Sequence, residues 1–218
     1  MLNSLHIFGI TGGIGYSAFK AATKNASPAI AGYYNRDRAF AYKIKEEYNS
    51  VDLHKFDLSC IDQIEKHKYA NYEGMIYAVG VPFFSKHIFE FNTSDLHRQI
   101  SLDVTSLFLL IKKLCFVKDS NLKRIVVVTS VIPERIKSIY HICKSLQCCL
   151  LHCLTTNLRE KGIGISIIKA GWVDTNMYRE YLTYGGKESK NVLEAEVVGR
   201  ACIEELTRED VFSLRKVI

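Results

Sequence analysis

The chain has 218 residues, 48% hydrophobic and 24% charged, which is the size and composition of one globular domain with a substantial core. Its formal net charge of +6 is spread along the chain among 23 acidic residues, which argues against a nucleic-acid footprint and for an ordinary solvated basic surface. The segment Met1 to Gly15 has no basic stretch followed by a sustained apolar run, and the apolar stretch around Leu107 to Ile111 is too short to span a bilayer, so a cytoplasmic protein without a membrane partner is expected.

Short apolar runs alternate with helical patterns. The first run, SLHIFG (4–9), leads into GITGGIG, with Gly9, Gly13 and Gly15 in the pattern G-x-x-x-G-x-G, and then into the helical YSAFKAATKN. Without Cβ atoms the backbone turns tightly there, and a diphosphate can approach the first N–H groups of the helix, where the dipole favours an anion. The second run, AIAGYYN (29–35), ends in YYNRDR. A dinucleotide site needs either a carboxylate at that place for the ribose hydroxyls or an arginine for the 2'-phosphate of NADP. Asn35 and Arg36 favour NADP, with Thr11 of the glycine loop offering a hydroxyl to the same phosphate. Asp37 argues for NAD, the less expected cofactor.

The third run, VDLHKFDL (51–58), carries Asp57, which has two roles open to it: accepting from an adenine amino group, or capping a helix that begins near Cys60. GMIYAVG (74–80), RIVVVTS (124–130) and GISIIKAG (164–171) follow, and the terminal DVFSLRKVI reads as a last edge strand. Strand, helix, strand in repetition predicts an α/β fold: a doubly wound parallel sheet with helices on both faces, in a single domain over 1–218. Ligands of such sheets bind beyond the carboxyl ends of the strands.

Tyr-x-x-x-Lys occurs twice, as Tyr16 with Lys20 and as Tyr140 with Lys144, so the spacing alone proves nothing. Tyr16 lies inside the helix that packs beneath the glycine loop. Tyr140 follows Ser130 by ten residues, and Ser130 ends a strand at the ligand edge. A lysine one helical turn from a tyrosine favours the phenolate, so Tyr140 can exchange a proton with a carbonyl or alcohol oxygen. Ser130 can hydrogen-bond that oxygen, with Thr129 as the second candidate.

From Gly9 to about Met177 the chain resembles the short-chain dehydrogenases/reductases, whose fold is Rossmann-like. The resemblance implies that Gly9, Gly13 and Gly15, with Ile14 between them, hold the cofactor, that Asp57 contacts its adenine, and that Ser130, Tyr140 and Lys144 are catalytic. It also implies cofactor contacts from Gly80 and, in AGWVDT (170–175), from Val173 and Thr175, and it makes Lys144 a ligand of the nicotinamide ribose. YNR is similar to the corresponding segment of NADP-using acyl-carrier-protein ketoreductases. Several positions depart from the family. Phe8 replaces a threonine, YAVG (77–80) replaces Asn-Asn-Ala-Gly, Ala170 replaces a proline, and Asp103 replaces a catalytic asparagine. Asp103 either pairs with Lys144 and weakens its pull on Tyr140, or keeps a proton relay by other means.

Seven cysteines, four of them on the helix after Tyr140, fit reduced thiols. Cys148, Cys149, His152 and Cys153 have no matching second ligand pair, so no metal is expected. The same helix and the one near Leu107 are subunit interfaces in the family, which implies a homodimer or homotetramer. Arg135 and Lys137 in PERIKS (133–138) could steer an acidic substrate or carrier, and YLTYGGKESKN lies in the substrate lid expected around 176–193. The expected activity is NADPH-dependent reduction of a carbonyl, with a 3-oxoacyl thioester on an acyl carrier protein as the foremost substrate. The rivals are another small molecule (a sugar, polyol or polyketide intermediate) and a weakly catalytic, cofactor-binding partner subunit.

Overall fold

The computed structural model describes residues 2–24, 27–81, 88–131 and 138–217. In chain order its elements are β1 (Ser4–Phe8), α1 (Gly13–Lys24), β2 (Ala29–Tyr34), α2 (Arg38–Glu47), β3 (Asp52–Lys55), α3 (Ile61–Lys66) and β4 (Gly74–Tyr77). A 3-10 turn (Ile88–Glu90) precedes α4 (Thr93–Ile100), a π-helical turn (Ser101–Thr105) and α5 (Ser106–Cys115). Then come β5 (Arg124–Ser130), α6 (Ile139–Glu160), β6 (Gly164–Ala170), β7 (Trp172–Asp174), α7 (Asn176–Thr183), β8 (Val192–Glu194), α8 (Ala195–Leu206) and β9 (Phe212–Val217).

The main sheet has the order β3-β2-β1-β4-β5-β6-β9. Every neighbouring pair is parallel. The expected doubly wound sheet is therefore present, and the terminal segment is its last edge strand, held against β6. Chain order reverses between β1 and β4, so their connections leave in opposite directions and a crevice opens beyond their carboxyl ends.

Burial on both faces explains why the strands read as apolar runs rather than as alternation. On β5, Ile125 and Val127 pack towards Leu107, Leu110 and Leu151, while Val126 and Val128 pack towards Ala18, Val198 and Ala201. Burial of each large aliphatic side chain contributes ~1.5–3 kcal/mol. His6 on β1 is buried as well. Its ring nitrogens lie 3.1 Å from the Tyr33 hydroxyl and 3.0 Å from the Ala70 carbonyl. Burial lowers its pKa to about 4, so the ring is neutral.

At the amino end of the sheet Arg124 is 3% exposed. Its guanidinium donates to the carbonyls of Glu205 (3.0 Å) and Asp210 and to Ser166 Oγ (2.6 Å), tying β5 to the end of α8 and the start of β9. Ser213 Oγ lies 2.5 Å from the buried carboxylate of Glu205. We expect Arg124→Met to lower the unfolding free energy in urea by about 3 kcal/mol, because it leaves the buried Glu205 carbonyl and Ser166 hydroxyl without the charged donor they share.

Candidate active site

The glycine loop sits where the first strand ends. Gly9 adopts φ +87°, a conformation that L side chains rarely take, and its N–H donates to the Tyr33 carbonyl at 2.9 Å. A Cβ on Gly15 would stand 2.1 Å from the Gly9 carbonyl oxygen, so the helix start can close on the strand end only with glycine there. Gly12 and Gly13 are exposed and Thr11 is half-buried. No acidic side chain occupies the first turn of α1, whose N–H groups have no partners of their own within the helix. That cradle fits a diphosphate. Ile14 packs half-buried against the core beneath it, and Val173 is buried in the same cluster. Thr175 donates to the Val173 carbonyl at 3.2 Å and caps α7, and its Cγ2 would lie 2.6 Å from a Cβ on Gly13, so the β7 end closes on the loop.

At the end of β2, Asn35 is half-buried and Arg36 exposed. Asp37 is the N-cap of α2, its carboxylate accepting from Phe40 N at 2.9 Å. Arg38 is also engaged, donating to the Tyr42 hydroxyl. Asp57 does not cap α3, whose N-cap is Cys60 without a side-chain bond. Instead Asp57 Oδ1 accepts from Ser59 N (2.9 Å) and Ser59 Oγ (2.7 Å). Burial works against this carboxylate, but Ser59, with smaller contributions from Arg98 and Asn35, holds it below the usual carboxylate range.

The two tyrosine and lysine pairs have nearly the same ring-to-ammonium distance, 5.3 Å for Tyr16 with Lys20, and differ in burial and partners. Tyr16 packs edge-on against Phe40 at 4.7 Å, and Lys20 pairs with Glu196 at 3.6 Å. Tyr140, one residue into α6 behind the N-cap Ser138, carries Lys144 Nζ 5.4 Å from its ring centroid. Lys144 is 1% exposed, donates to the Val79 carbonyl at 2.6 Å, and lies 3.2 Å from Asp103 Oδ1. That distance makes an ion pair, although the angle is outside the hydrogen-bond range. Gly80 backs onto the pair: a Cβ there would lie 3.1 Å from Tyr140 Cε2 and 3.2 Å from Nζ. On β5, Thr129 is 3% exposed and turned into the fold, whereas Ser130 is half-buried with Oγ 3.3 Å from the Val131 carbonyl.

The charges near Tyr140 are opposed. Burial raises its pKa, Lys144 pulls it down, and Asp103 pushes it up again, with a net rise. For Lys144, burial disfavours the ammonium, but Asp103 and Tyr140 outweigh it and hold the pKa above the ordinary lysine value. The hydroxyl therefore holds its proton more firmly than an ordinary tyrosine.

Asp103 is wholly buried and meets Lys144 from the π-turn rather than opening onto the crevice. Its Oδ2 accepts from Gln99 Nε2, and its backbone carbonyl accepts from Gln147 Nε2 at 2.5 Å. Tyr77 stands at the first asparagine of the Asn-Asn-Ala-Gly pattern, and its hydroxyl lies 2.7 Å from the Leu102 carbonyl and 2.8 Å from Ser106 Oγ. Phe8 stacks on Tyr33 at 4.2 Å. Sequence reasoning missed Tyr77, Gln99 and Gln147. The available signal was spacing: Gln99 precedes Asp103 by one helical turn, and Gln147 lies one turn beyond Lys144.

Cys143 and Cys148 are buried and Cys149 and Cys153 exposed, so the cysteines on α6 face different ways. Arg135 and Lys137 lie outside the described residues. Segment 176–193 consists of α7 and a stretch tied back to it, with Ser189 N donating to the Tyr178 hydroxyl at 2.9 Å, and it ends on the parallel pair β7 and β8. A cleft of ≈ 340 Å³ at the amino end of the strands is lined by Lys123, Arg124, Arg159 and Arg208. It is far from Tyr140 in the fold, and three of its cations are already partnered: Lys123 by Glu73, Arg124 by carbonyls, Arg208 by Asp210. Among the described residues no helix is long and apolar enough to cross a membrane.

The family model described as enoyl-(acyl carrier protein) reductase matches residues 9–211. No curated protein matches the sequence. Among solved structures, a short-chain dehydrogenase from Sphingobium yanoikuyae in complex with NADPH superposes with a TM-score of 0.80 at 20% identity, over 98% of this chain and 87% of that one. A short-chain dehydrogenase from Burkholderia cenocepacia J2315 in complex with NADP gives 0.81 at 13% identity, over 99% and 96%. A 3-oxoacyl (acyl-carrier-protein) reductase from Agrobacterium tumefaciens C58 with NADP bound gives 0.77 at 14% identity, over 98% and 93%. At these identities the likeness is one of fold.

If Asp37 acts as a helix cap, Asp37→Ala costs about 1 kcal/mol of stability and Asp37→Asn much less. Urea denaturation of the two variants checks this, and equal losses contradict it.

Proposed function

The chain belongs to the short-chain dehydrogenase/reductase family, and from that premise we propose that it reduces a carbonyl to an alcohol with NADPH, the substrate being a 3-oxoacyl thioester carried on an acyl carrier protein. The observation that carries the reading is the buried Lys144 ammonium, held by Val79 and Asp103 beside Tyr140 at the carboxyl edge of the sheet.

When bound, the cofactor supplies the hydride. The chain's own residues do the rest. The loop of Gly9, Gly13 and Gly15 and the start of α1 receive the diphosphate, with Thr11 and Ile14 beside it. Arg36 is exposed at the end of β2, and no side-chain hydrogen bond or ion pair holds it among the described residues, which suits the 2'-phosphate of NADP. Asp37 is committed to capping α2, which weakens the case for NAD. Asp57 and Asn35 border the adenine side, and Gly80, Val173 and Thr175 the nicotinamide side. Each of the three relatives is described with NADPH or NADP.

Ser130 orients the carbonyl oxygen, and Tyr140 donates the proton to it as hydride arrives at carbon. Lys144 binds the nicotinamide ribose and holds Tyr140 in place, while Asp103 sets the charge of Lys144. A proton donor is what reduction needs, and the opposed charges around Tyr140 favour its protonated form. Segment 176–193 is the substrate lid. Phe108 on α5 and Leu146 on α6 are 42% and 44% exposed, which supports a homodimer or homotetramer through those helices.

Tyr140→Phe is expected to lower kcat by about 10²- to 10⁴-fold, with the NADPH dissociation constant nearly unchanged. Arg36→Ala is expected to weaken NADPH about tenfold and NADH little. Protein that binds NADPH but reduces no member of a ketone and 3-oxoacyl thioester panel refutes the activity. Turnover of sugars or polyols but not of thioesters replaces the substrate class.

A further inference from the structure

Two buried glutamine amides converge on Asp103 from different helices. Gln99 on α4 is 1% exposed and donates to the carboxylate Oδ2. Gln147 on α6 is fully buried and donates to the Asp103 backbone carbonyl at 2.5 Å. Both amides leave their Oε1 atoms buried without a hydrogen-bond partner. Turning either amide over would set its oxygen against an oxygen of Asp103, so Asp103 dictates how both side chains face. Leaving two buried acceptors unpaired is unfavourable, and an arrangement that tolerates it holds Asp103 firmly.

The π-turn makes the arrangement possible. Ser106 N bonds back to the Ser101 carbonyl, a five-residue step, and this wider turn frees the carbonyls between for partners outside the helix. The Leu102 carbonyl meets Tyr77, and the Asp103 carbonyl meets Gln147.

Lys144 has three N–H donors. One goes to Val79 at 2.6 Å, and Asp103 Oδ1 is the nearest negative charge, at 3.2 Å, against 5.4 Å to the centre of the Tyr140 ring. Charges act additively, so at Tyr140 the Asp103 carboxylate offsets part of the pull of the Lys144 ammonium. The other ionisable groups around the pair are Cys143 and His141 on α6 and Tyr77 on β4. Burial pushes the Cys143 thiol up to about 12, lowers His141 and raises Tyr77, so all three are neutral at physiological pH.

We propose that Gln99 and Gln147 are positioning residues that clamp Asp103 against Lys144, and that the clamped ion pair keeps Tyr140 protonated, extending its service as a proton donor into alkaline solution. The proposal rests on the catalytic roles given above to Tyr140 and Lys144. An unpaired ammonium in the same place would favour the phenolate and restrict reduction to lower pH. The amides act only through Asp103 and touch no reacting atom.

The test needs no substrate at its first step. Titrating the full chain and its Tyr140→Phe variant with base, and subtracting their phenolate absorbance, isolates the ionisation of Tyr140. A midpoint above the ordinary ~10 is expected, and one below ~9 overturns the proposal. In Asp103→Asn the midpoint is expected to fall by about one pH unit or more, and in the Gln99→Met/Gln147→Met double variant to fall by a smaller step, because Asp103 released by both side chains stands farther from Lys144 and offsets less of the ammonium's pull on Tyr140. The alkaline decline of reductive kcat/KM should move with the midpoint, and in the double glutamine variant the NADPH dissociation constant stays put. Midpoints unmoved in variants with native circular dichroism overturn the clamp, and where a variant does not fold the wild-type midpoint decides. Raised midpoints in a protein that reduces no carbonyl would refute the substrate reading alone, whereas carbonyl reduction with a low midpoint would refute the clamp alone.

Discussion

A fully buried ammonium must find partners, and the site is arranged around the ones that Lys144 finds. Its Nζ reaches the Val79 carbonyl just past β4 and the Asp103 carboxylate in the π-turn, while its own helix holds Tyr140 one turn back. Three separate pieces of chain are thereby fixed relative to one another at the carboxyl edge of the sheet. The same burial explains Gly80, where any side chain would press on both Tyr140 and Lys144. Removing one partner of such a pair strands a charge in the interior, so the pair is tied to folding as well as to chemistry.

The departures from the family pattern have structural counterparts. Tyr77 sends a hydroxyl from β4 to the π-turn, where an asparagine amide is usual in the family. Phe8 stacks on Tyr33 and so attaches β1 to β2 through an aromatic contact in place of a threonine hydroxyl. Asp103 brings a full negative charge where an amide is usual, and two glutamines accompany it. The substitutions concern one connected region, which runs from the first strand's neighbours through β4 and the π-turn to α6.

The two ends of the sheet do different work. At the amino end, cations are met by carboxylates and carbonyls of the chain itself, with Arg124 binding α8 and β9 to β5. At the carboxyl end, Arg36 is exposed beyond β2 with no side-chain partner among the described residues, and no acidic side chain occupies the first turn of α1.

The sequence by itself determined the sheet, because strands buried on both faces must be short apolar runs and parallel neighbours must be joined by helices. It also determined the glycine loop, since a φ of +87° at Gly9 and a contact as close as that of Gly15 with Gly9 leave no room for another residue type. The spacing of Tyr140 and Lys144 was legible as one helical turn, but Tyr16 and Lys20 share it, and in the sequence only position relative to Ser130 separated the two pairs. Tertiary structure alone decided the rest. Asp37 became a helix cap and Asp57 the centre of a turn with Ser59, because hydrogen-bond partners depend on where α2 and α3 begin. Asp103 became the partner of Lys144, and Gln99 and Gln147 became its holders, because residues far apart in the chain meet only when α4, the π-turn and α6 pack together. Spacing along one helix records which face a residue takes, but not which charge waits on the opposite face, because that charge comes from another part of the chain.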